Sequence, residues 1–233
     1  MSTLIDKPLS QIVSDNFQTA HVFEKYGLDF CCKGKQTLQE ACINKGIQLE
    51  QILEQLDIQT SEREAGVDFA HLSLSELINY IVSVHHSYVR ESMPLILAQI
   101  LKVATKHGNR FPQMKKVYVL FTQIKTELIY HMEKEEGILF ERIRELEFKT
   151  MGNNNAAFIT GSINLMEEDH KLVGTLMRQI RSLTNDYQIP ENVCTTFRVV
   201  INALHHFEND LHKHVHLENN ILFAQAKAMN KKQ

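Results

Sequence analysis

Apolar residues recur at heptad spacing from Leu74 almost to the end of the chain, in four long segments with few prolines or glycines inside them. This periodicity predicts helices over 73–106, 113–149, 161–184 and 191–229. The connectors between the segments are short and carry helix-breaking residues, which favours antiparallel packing of neighbouring helices. The predicted fold for this part of the chain is an all-α, up-down-up-down four-helix bundle.

The first 60 residues follow a different pattern. Three short segments that begin near Pro8, Ala20 and Thr37 are separated by glycine-bearing turns, and they predict a small helical module. A polar run at 59–66 follows and indicates a linker. The expected domains are the helical module over 1–60, the linker over 61–72 and the bundle over 73–233.

The buried face of each predicted bundle helix is apolar except where it carries histidine or glutamate. The first and third helices contribute one histidine each, and the second and fourth each carry a His-x-x-x-Glu motif, with the two motifs 83 residues apart. Residues four apart share one face of a helix, so each motif is expected to present an imidazole and a carboxylate to the core. The candidate metal ligands are His86, His131, Glu135, His170, His214 and Glu218.

The heptad pattern also assigns neighbouring residues. His85 lies on a partly apolar face of its own, and His86 is preferred over it because the apolar face that contains His86 is unbroken. Ile138 is expected to face the core one turn after the motif glutamate of the second helix. His216, on the far side of the fourth helix from the motif histidine, is predicted to lie on the surface.

Acidic residues beside the motif histidines are candidates for fixing their tautomers by hydrogen bonds to the outer ring nitrogens. Two lie four residues before a motif histidine and one lies directly before His170; they are Glu127, Asp210 and Asp169. The alternative is that these carboxylates are simply solvated on exposed helix faces. Glu133 and Glu136 fall off the buried face and are predicted to be solvated, with the lining of a channel as the alternative.

Two carboxylates at corresponding depths of an apolar core require a compensating cation, because burying an unpaired carboxylate is costly. No lysine or arginine occupies a facing position of the predicted core. One or two divalent metals would satisfy the requirement, with the carboxylates as bridges and the imidazoles as terminal ligands. Six mixed ligands around two metals leave open positions, which favours iron, with manganese as the alternative, over tetrahedral zinc.

Composition limits the partners and the compartment. The chain has 25 basic and 28 acidic side chains and a sequence pI near 6.5, so neither nucleic acid nor an anionic membrane surface is an expected partner. No segment approaches the length of about 20 apolar residues that spans a bilayer. Four cysteines, spaced for neither a disulfide framework nor a zinc knuckle, fit a reducing cytoplasm.

The adjacent cysteines Cys31 and Cys32 are the second candidate site. A bond between neighbouring cysteines is strained, so two free thiols in a turn are expected. Lysines at 33 and 35 favour a nucleophilic or metal-seeking thiol, and the alternative is a turn without chemistry. Cys42 and Cys194 are predicted to be small core residues.

Five segments in order resemble one family, the hemerythrin-like di-iron proteins known as the repair of iron centres family or iron-sulfur cluster repair proteins. The segments are the Cys-Cys stretch at 29–38, similar to that family's ScdA-type N-terminal domain, then His86, His131 to Glu135, Glu168 to His170, and His214 to Phe223. The resemblance implies two non-haem irons, bridged by Glu135, Glu218 and an oxo or hydroxo group, with four terminal histidines. It also implies a cytoplasmic homodimer that restores clusters damaged by nitric oxide or peroxide.

Three functions are compatible with such a site. The first is a repair factor that donates iron or electrons to a damaged iron-sulfur protein. The second is a nitric oxide reductase or scavenger, because open metal positions can bind and polarise small molecules. The third, which lacks an output motif in the sequence, is a sensor of oxygen or nitric oxide.

Overall fold

The computed structural model describes residues 2–61, 68–148 and 156–230, which are almost entirely helical and contain no strand. The all-α prediction is confirmed. The chain divides into two compact units: a bundle unit, Asn79–Leu211, and a terminal unit, Met1–Ile78 together with His212–Gln233. The predicted domain boundaries at 60 and 73 stay predictions, and residues 62–67 of the predicted linker lie outside the described residues.

Four long helices in the described residues follow the heptad prediction. The third begins at Ala156 rather than at 161, because the apolar periodicity continues through Ile159 before Gly161, and the fourth begins at Thr195 rather than at 191. The predicted connector at 151–155 lies outside the described residues. The helical segments are Leu74–Tyr80, Ile81–His86 and Ser87–His107; Gln113–Lys134, Glu135–Leu139 and Phe140–Glu147; Ala156–Leu183; and Thr195–His216, Leu217–Leu222 and Phe223–Asn230.

Within the bundle unit the helices pack around aromatic and aliphatic side chains. The Phe207 ring contacts Phe121 edge-on, with centroids 5.2 Å apart, and lies beside Tyr88. The second and third helices are antiparallel, because Val119 near the start of one lines the same surface cavity as Leu183 at the end of the other. No helix in the described parts of the chain is both long and apolar enough to cross a bilayer.

The terminal unit contains the small helical module. The three predicted helices are present, and two helices that were not predicted, Ser2–Ile5 and Leu49–Ser61, accompany them; the predicted three are Leu9–Asp15, Thr19–Lys25 and Leu38–Lys45. Thr37 begins the last of these with a capping box, in which its hydroxyl accepts from the Glu40 N–H and the Glu40 carboxylate accepts from the Thr37 N–H.

Three of the long helices contain a π-helical turn at a candidate ligand. The N–H of Phe140 bonds to the carbonyl of Glu135, five residues back, and Phe223 bonds in the same way to Glu218. A π turn inserts one residue into the α repeat, which shifts the face that follows it. Ile138 is therefore 50% exposed and Leu139 is 2% exposed. The prediction that Ile138 faces the core was wrong, because it assumed an uninterrupted α-helix.

Candidate metal centre

The bundle unit brings four of the predicted ligands together around one carboxylate. Glu135 Oε2 lies 3.2 Å from His131 Nε2 and 3.5 Å from His86 Nε2. The Nε2 atoms of His170 and His131 are 3.0 Å apart. All four side chains are buried, so three helices present converging ligand atoms in a space closed to solvent. His86, and not its neighbour His85, lies beside Glu135.

The terminal unit contains the other predicted pair. Nε2 of His214 lies 2.9 Å from Oε1 of Glu218, and both side chains are buried. The two residues are four apart, and the π turn begins between them at Leu217. The second His-x-x-x-Glu motif therefore directs an imidazole and a carboxylate to a common point, as the sequence predicted.

Asp169 contacts the outer nitrogen of His131. Its Oδ2 lies 3.4 Å from His131 Nδ1 and 2.6 Å from the Lys134 ammonium. The His131 hydrogen bond, aided by Lys134 and opposed by partial burial, lowers the pKa of Asp169 to about 2. An ionised Asp169 favours a proton on Nδ1 of His131, which leaves Nε2 free to accept a metal. The sequence offered Asp169 as a partner for the adjacent His170, whereas its contact is with the candidate ligand His131 on the neighbouring helix.

The corresponding partner of His86 is Glu136, which the sequence assigned to solvent. Oε1 of Glu136 bonds to His86 Nδ1 at 2.5 Å and to Arg90 Nη2 at 2.7 Å. That assignment was wrong because Glu136 lies inside the π turn, where heptad positions no longer give the facing direction. The apolar periodicity contained no signal that could have identified it.

The two remaining acids, Asp210 and Glu127, have different surroundings. Asp210 Oδ1 bonds to Nδ1 of the buried His85 at 3.0 Å, although it was expected on His214. The described residues give Glu127 no hydrogen bond or ion pair, which fits the solvated alternative for this residue.

Replacing Glu136 with alanine is expected to lower iron affinity about 10- to 100-fold, the usual effect of losing the hydrogen-bond partner of a ligating histidine. The change removes the carboxylate that orients His86. Iron titration of the purified variant measures the effect. Glu133→Ala, at an exposed position on the same helix, is the matched control and should bind iron like the wild type. Equal affinities for the two variants would contradict the role of Glu136.

The cysteine pair lies in the terminal unit as two free thiols, with Cys31 buried and Cys32 half-buried. Their Sγ atoms are 3.8 Å apart, and Asp29 Oδ1 accepts from the Cys31 thiol and from the Cys32 N–H. The hydrogen bond to Cys32, burial and the Asp29 charge raise the pKa of Cys31 well above its ordinary value. Burial opposes ionisation of Asp29, but the hydrogen bonds it accepts lower its pKa. Cys42 is buried as predicted, whereas the prediction for Cys194 was wrong because it is exposed.

His216 is also buried, and the prediction of a surface position was wrong. Its ring packs on Phe30 with centroids 5.6 Å apart, and Phe17 lies on another side. Burial lowers the pKa of His216 to about 4, so the imidazole is neutral at physiological pH. The heptad pattern of the bundle predicted that this helix face is exposed to solvent. Within the terminal unit, however, the N-terminal module covers it.

The donor set fits iron by its chemistry. The atoms offered by His131, Glu135 and His170 lie within 4.8 Å of one another, which is the convergence that a bound cation needs. Imidazole nitrogen and carboxylate oxygen together suit iron, and the set lacks the thiolates typical of structural zinc. Buried carboxylates without a cation would be strongly unfavourable, so both motifs are chemically suited to hold metal.

These features define a class of protein, the helical bundles that bind metal through histidine and glutamate. Residues 77–226 match the hemerythrin HHE cation binding domain, and residues 5–59 match ScdA_N, a domain of unknown function (DUF542). The chain belongs to the family of iron-sulfur cluster repair proteins, so the resemblance drawn from its sequence is confirmed.

Relatives align over nearly their whole length. The chain is 33% identical to the iron-sulfur cluster repair protein YtfE of Enterobacter sp. (strain 638) over 223 residues, which cover 96% of this chain and 97% of that protein. It is 34% identical to YtfE of Citrobacter koseri over the same shares of both chains. It is 31% identical to the repair protein ScdA of Staphylococcus haemolyticus over 92% of this chain and 95% of that one.

Proposed function

We propose that this protein holds two non-haem irons, with an oxo or hydroxo bridge, and uses them to restore iron-sulfur clusters damaged by oxidative or nitrosative stress. The observation that carries the proposal is the buried His and Glu set in a chain whose relatives are named for cluster repair. The proposed ligands are His86, His131, Glu135, His170, His214 and Glu218.

The surroundings of Glu135 support its proposed role as a bridge. Its carboxylate lies between His86 and His131, which belong to different helices, and a bridging carboxylate must serve two sets of terminal ligands in this way. Glu218 is proposed as the second bridge from the repeat of the motif. Bound iron would supply redox-active ions with open coordination positions. The protein's own part is to exclude water and to fix the imidazole tautomers through Asp169 and Glu136.

The remaining features of the proposal follow from the family. We expect a cytoplasmic homodimer whose partners are damaged iron-sulfur proteins, with nitric oxide or oxygen as small ligands. The names of the relatives favour repair over the alternatives of nitric oxide reduction and sensing. Cys31 and Cys32 are proposed to assist as thiols, since the half-buried Cys32 is accessible beside a protonated neighbour.

The test uses a cluster-containing hydratase inactivated with a nitric oxide donor. Protein loaded with isotopically labelled iron is expected to restore hydratase activity, whereas iron-free protein and the same concentration of free ferrous iron should restore much less. Label recovered in the hydratase would indicate iron donation, and activity without label would indicate electron transfer. Equal recovery with iron-free protein would overturn the proposal.

A further inference from the structure

Residues 29–33, which carry Cys31 and Cys32, form a turn that we call the thiol loop. One peptide group of this loop is held from both sides within the terminal unit. Nδ2 of Asn220 donates to the carbonyl oxygen of Cys31 at 3.1 Å. The N–H of Cys32 donates to Asp29 Oδ1 at 2.9 Å. The carbonyl of Cys31 and the N–H of Cys32 belong to the same planar unit, so the two bonds fix its rotation. The direction of the Cys32 side chain follows from the orientation of this peptide.

Asn220 is itself held in place by a buried neighbour. Its Nδ2 lies 3.2 Å from Nδ1 of His216, one turn earlier. Nε2 of the same ring lies 3.4 Å from Ser14 Oγ. Phe30 packs against the His216 ring. The amide of Asn220 therefore has a defined orientation toward the thiol loop.

Asn220 shares a short backbone segment with a proposed metal ligand. Both Glu218 and Asn220 lie in the π turn Leu217–Leu222, two residues apart. π turns are uncommon, occur mostly as single turns, and are frequent at functional sites. A metal bound by the Glu218 carboxylate therefore constrains the same turn that carries the Asn220 amide.

We infer that Asn220 is a positioning residue that couples metal occupancy at Glu218 to the reactivity of the Cys31–Cys32 pair. The inference rests on the proposed function in one respect, that Glu218 binds metal. Iron binding at Glu218 fixes the conformation of the π turn. The turn then fixes the orientation of the Asn220 amide, and the amide fixes the orientation of the peptide between the two thiols. Coupling of this kind is reciprocal, so the state of the thiols also changes iron affinity.

The experiment measures alkylation of Cys32 by iodoacetamide in iron-loaded and iron-free protein, by peptide mass spectrometry. The alkylation rates of the two forms are expected to differ by about fivefold or more. A fivefold effect corresponds to the lower end of typical coupling free energies between sites. Cys194, which is exposed in the bundle unit, serves as an internal reference whose rate should not depend on iron.

Asn220→Ala and Asn220→Leu are both expected to bring the Cys32 rate ratio to about one, and thermal unfolding reports whether each variant folds. Gln225→Ala is the matched control, because Gln225 donates from the same kind of amide to a backbone carbonyl, that of Ala70, away from the thiols. This control should keep the wild-type ratio. A general loss of stability would affect both sites alike, whereas loss of coupling is confined to Asn220.

Iron content separates this inference from the proposed function. If the wild type binds two irons and repairs a cluster but shows a ratio of one, the coupling is overturned and the function stands. A ratio that persists in both Asn220 variants overturns the inference as well. If the wild type binds no iron, the proposed function fails first. In the reverse direction, alkylated wild type should show an altered iron affinity, and alkylation of the Asn220 variants should leave their iron affinity unchanged.

Discussion

Glu135→Leu is expected to abolish binding of the iron pair while leaving the iron-free protein at least as stable as the wild type. Glu135 is fully buried, and leucine has a similar volume without a charge. Leucine removes the desolvation cost of the buried carboxylate, which is on the order of several kcal/mol per ion. The large effect falls on the loaded form, where iron at 1,000 times its dissociation constant stabilises the wild type by about 4 kcal/mol.

Iron per chain and thermal unfolding with and without iron measure this prediction. Glu133→Leu, at an exposed position on the same helix, is the control and should retain both the iron and the stabilisation. Retention of two irons by Glu135→Leu would rule out the bridging role. A severe loss of stability in its iron-free form would instead show that the carboxylate is needed for folding.

Arg181→Met is expected to destabilise the fold by about 3 kcal/mol, because it leaves a buried carboxylate without its cation. Arg181 bonds through Nε and Nη2 to Oε2 of Glu208, which is 1% exposed. The double variant Arg181→Met/Glu208→Leu removes both charges and should recover most of the loss. Chemical denaturation of the iron-free proteins gives the free energies of unfolding.

An exposed ion pair in the same helix supplies the comparison. Lys171 bonds to Glu168, and both side chains are more than half exposed. Lys171→Met should therefore change the stability by no more than about 0.5 kcal/mol. If Arg181→Met had an equally small effect, Glu208 would have to be solvated or protonated in the native state.

Much of the fold could be predicted from the sequence, because heptad spacing in the bundle reports burial directly. His131, His170 and Glu135 were placed in the core by their apolar neighbours alone, and the structure buries all three. The motif repeat could likewise be read from residue spacing, since i and i+4 positions share a helix face. These features depend on local periodicity, which a single sequence contains.

The parts that could not be predicted depend on departures from α geometry or on segments distant in sequence. The side chains of Glu136 and Ile138 face other directions than predicted because of one π turn. A single sequence does not reveal such a turn, so its residues are assigned to faces as if the helix were a regular α-helix. His216 and Asn220 meet residues of the thiol loop almost 190 positions earlier in the chain. No periodicity of the fourth helix indicates which segment covers it.

The π turns also bear on attempts to build this metal centre into an artificial protein. Designed bundles use regular α-helices, in which every residue after a ligand keeps the same phase. Copying Glu135 and Glu218 onto such helices would rotate Leu139 and the layer beyond each carboxylate by about one residue, roughly 100° of helical turn. A faithful scaffold needs one extra residue after each of these carboxylates. Without this extra residue, a regular α-helix could place either the ligands or the apolar residues that follow them correctly, but not both.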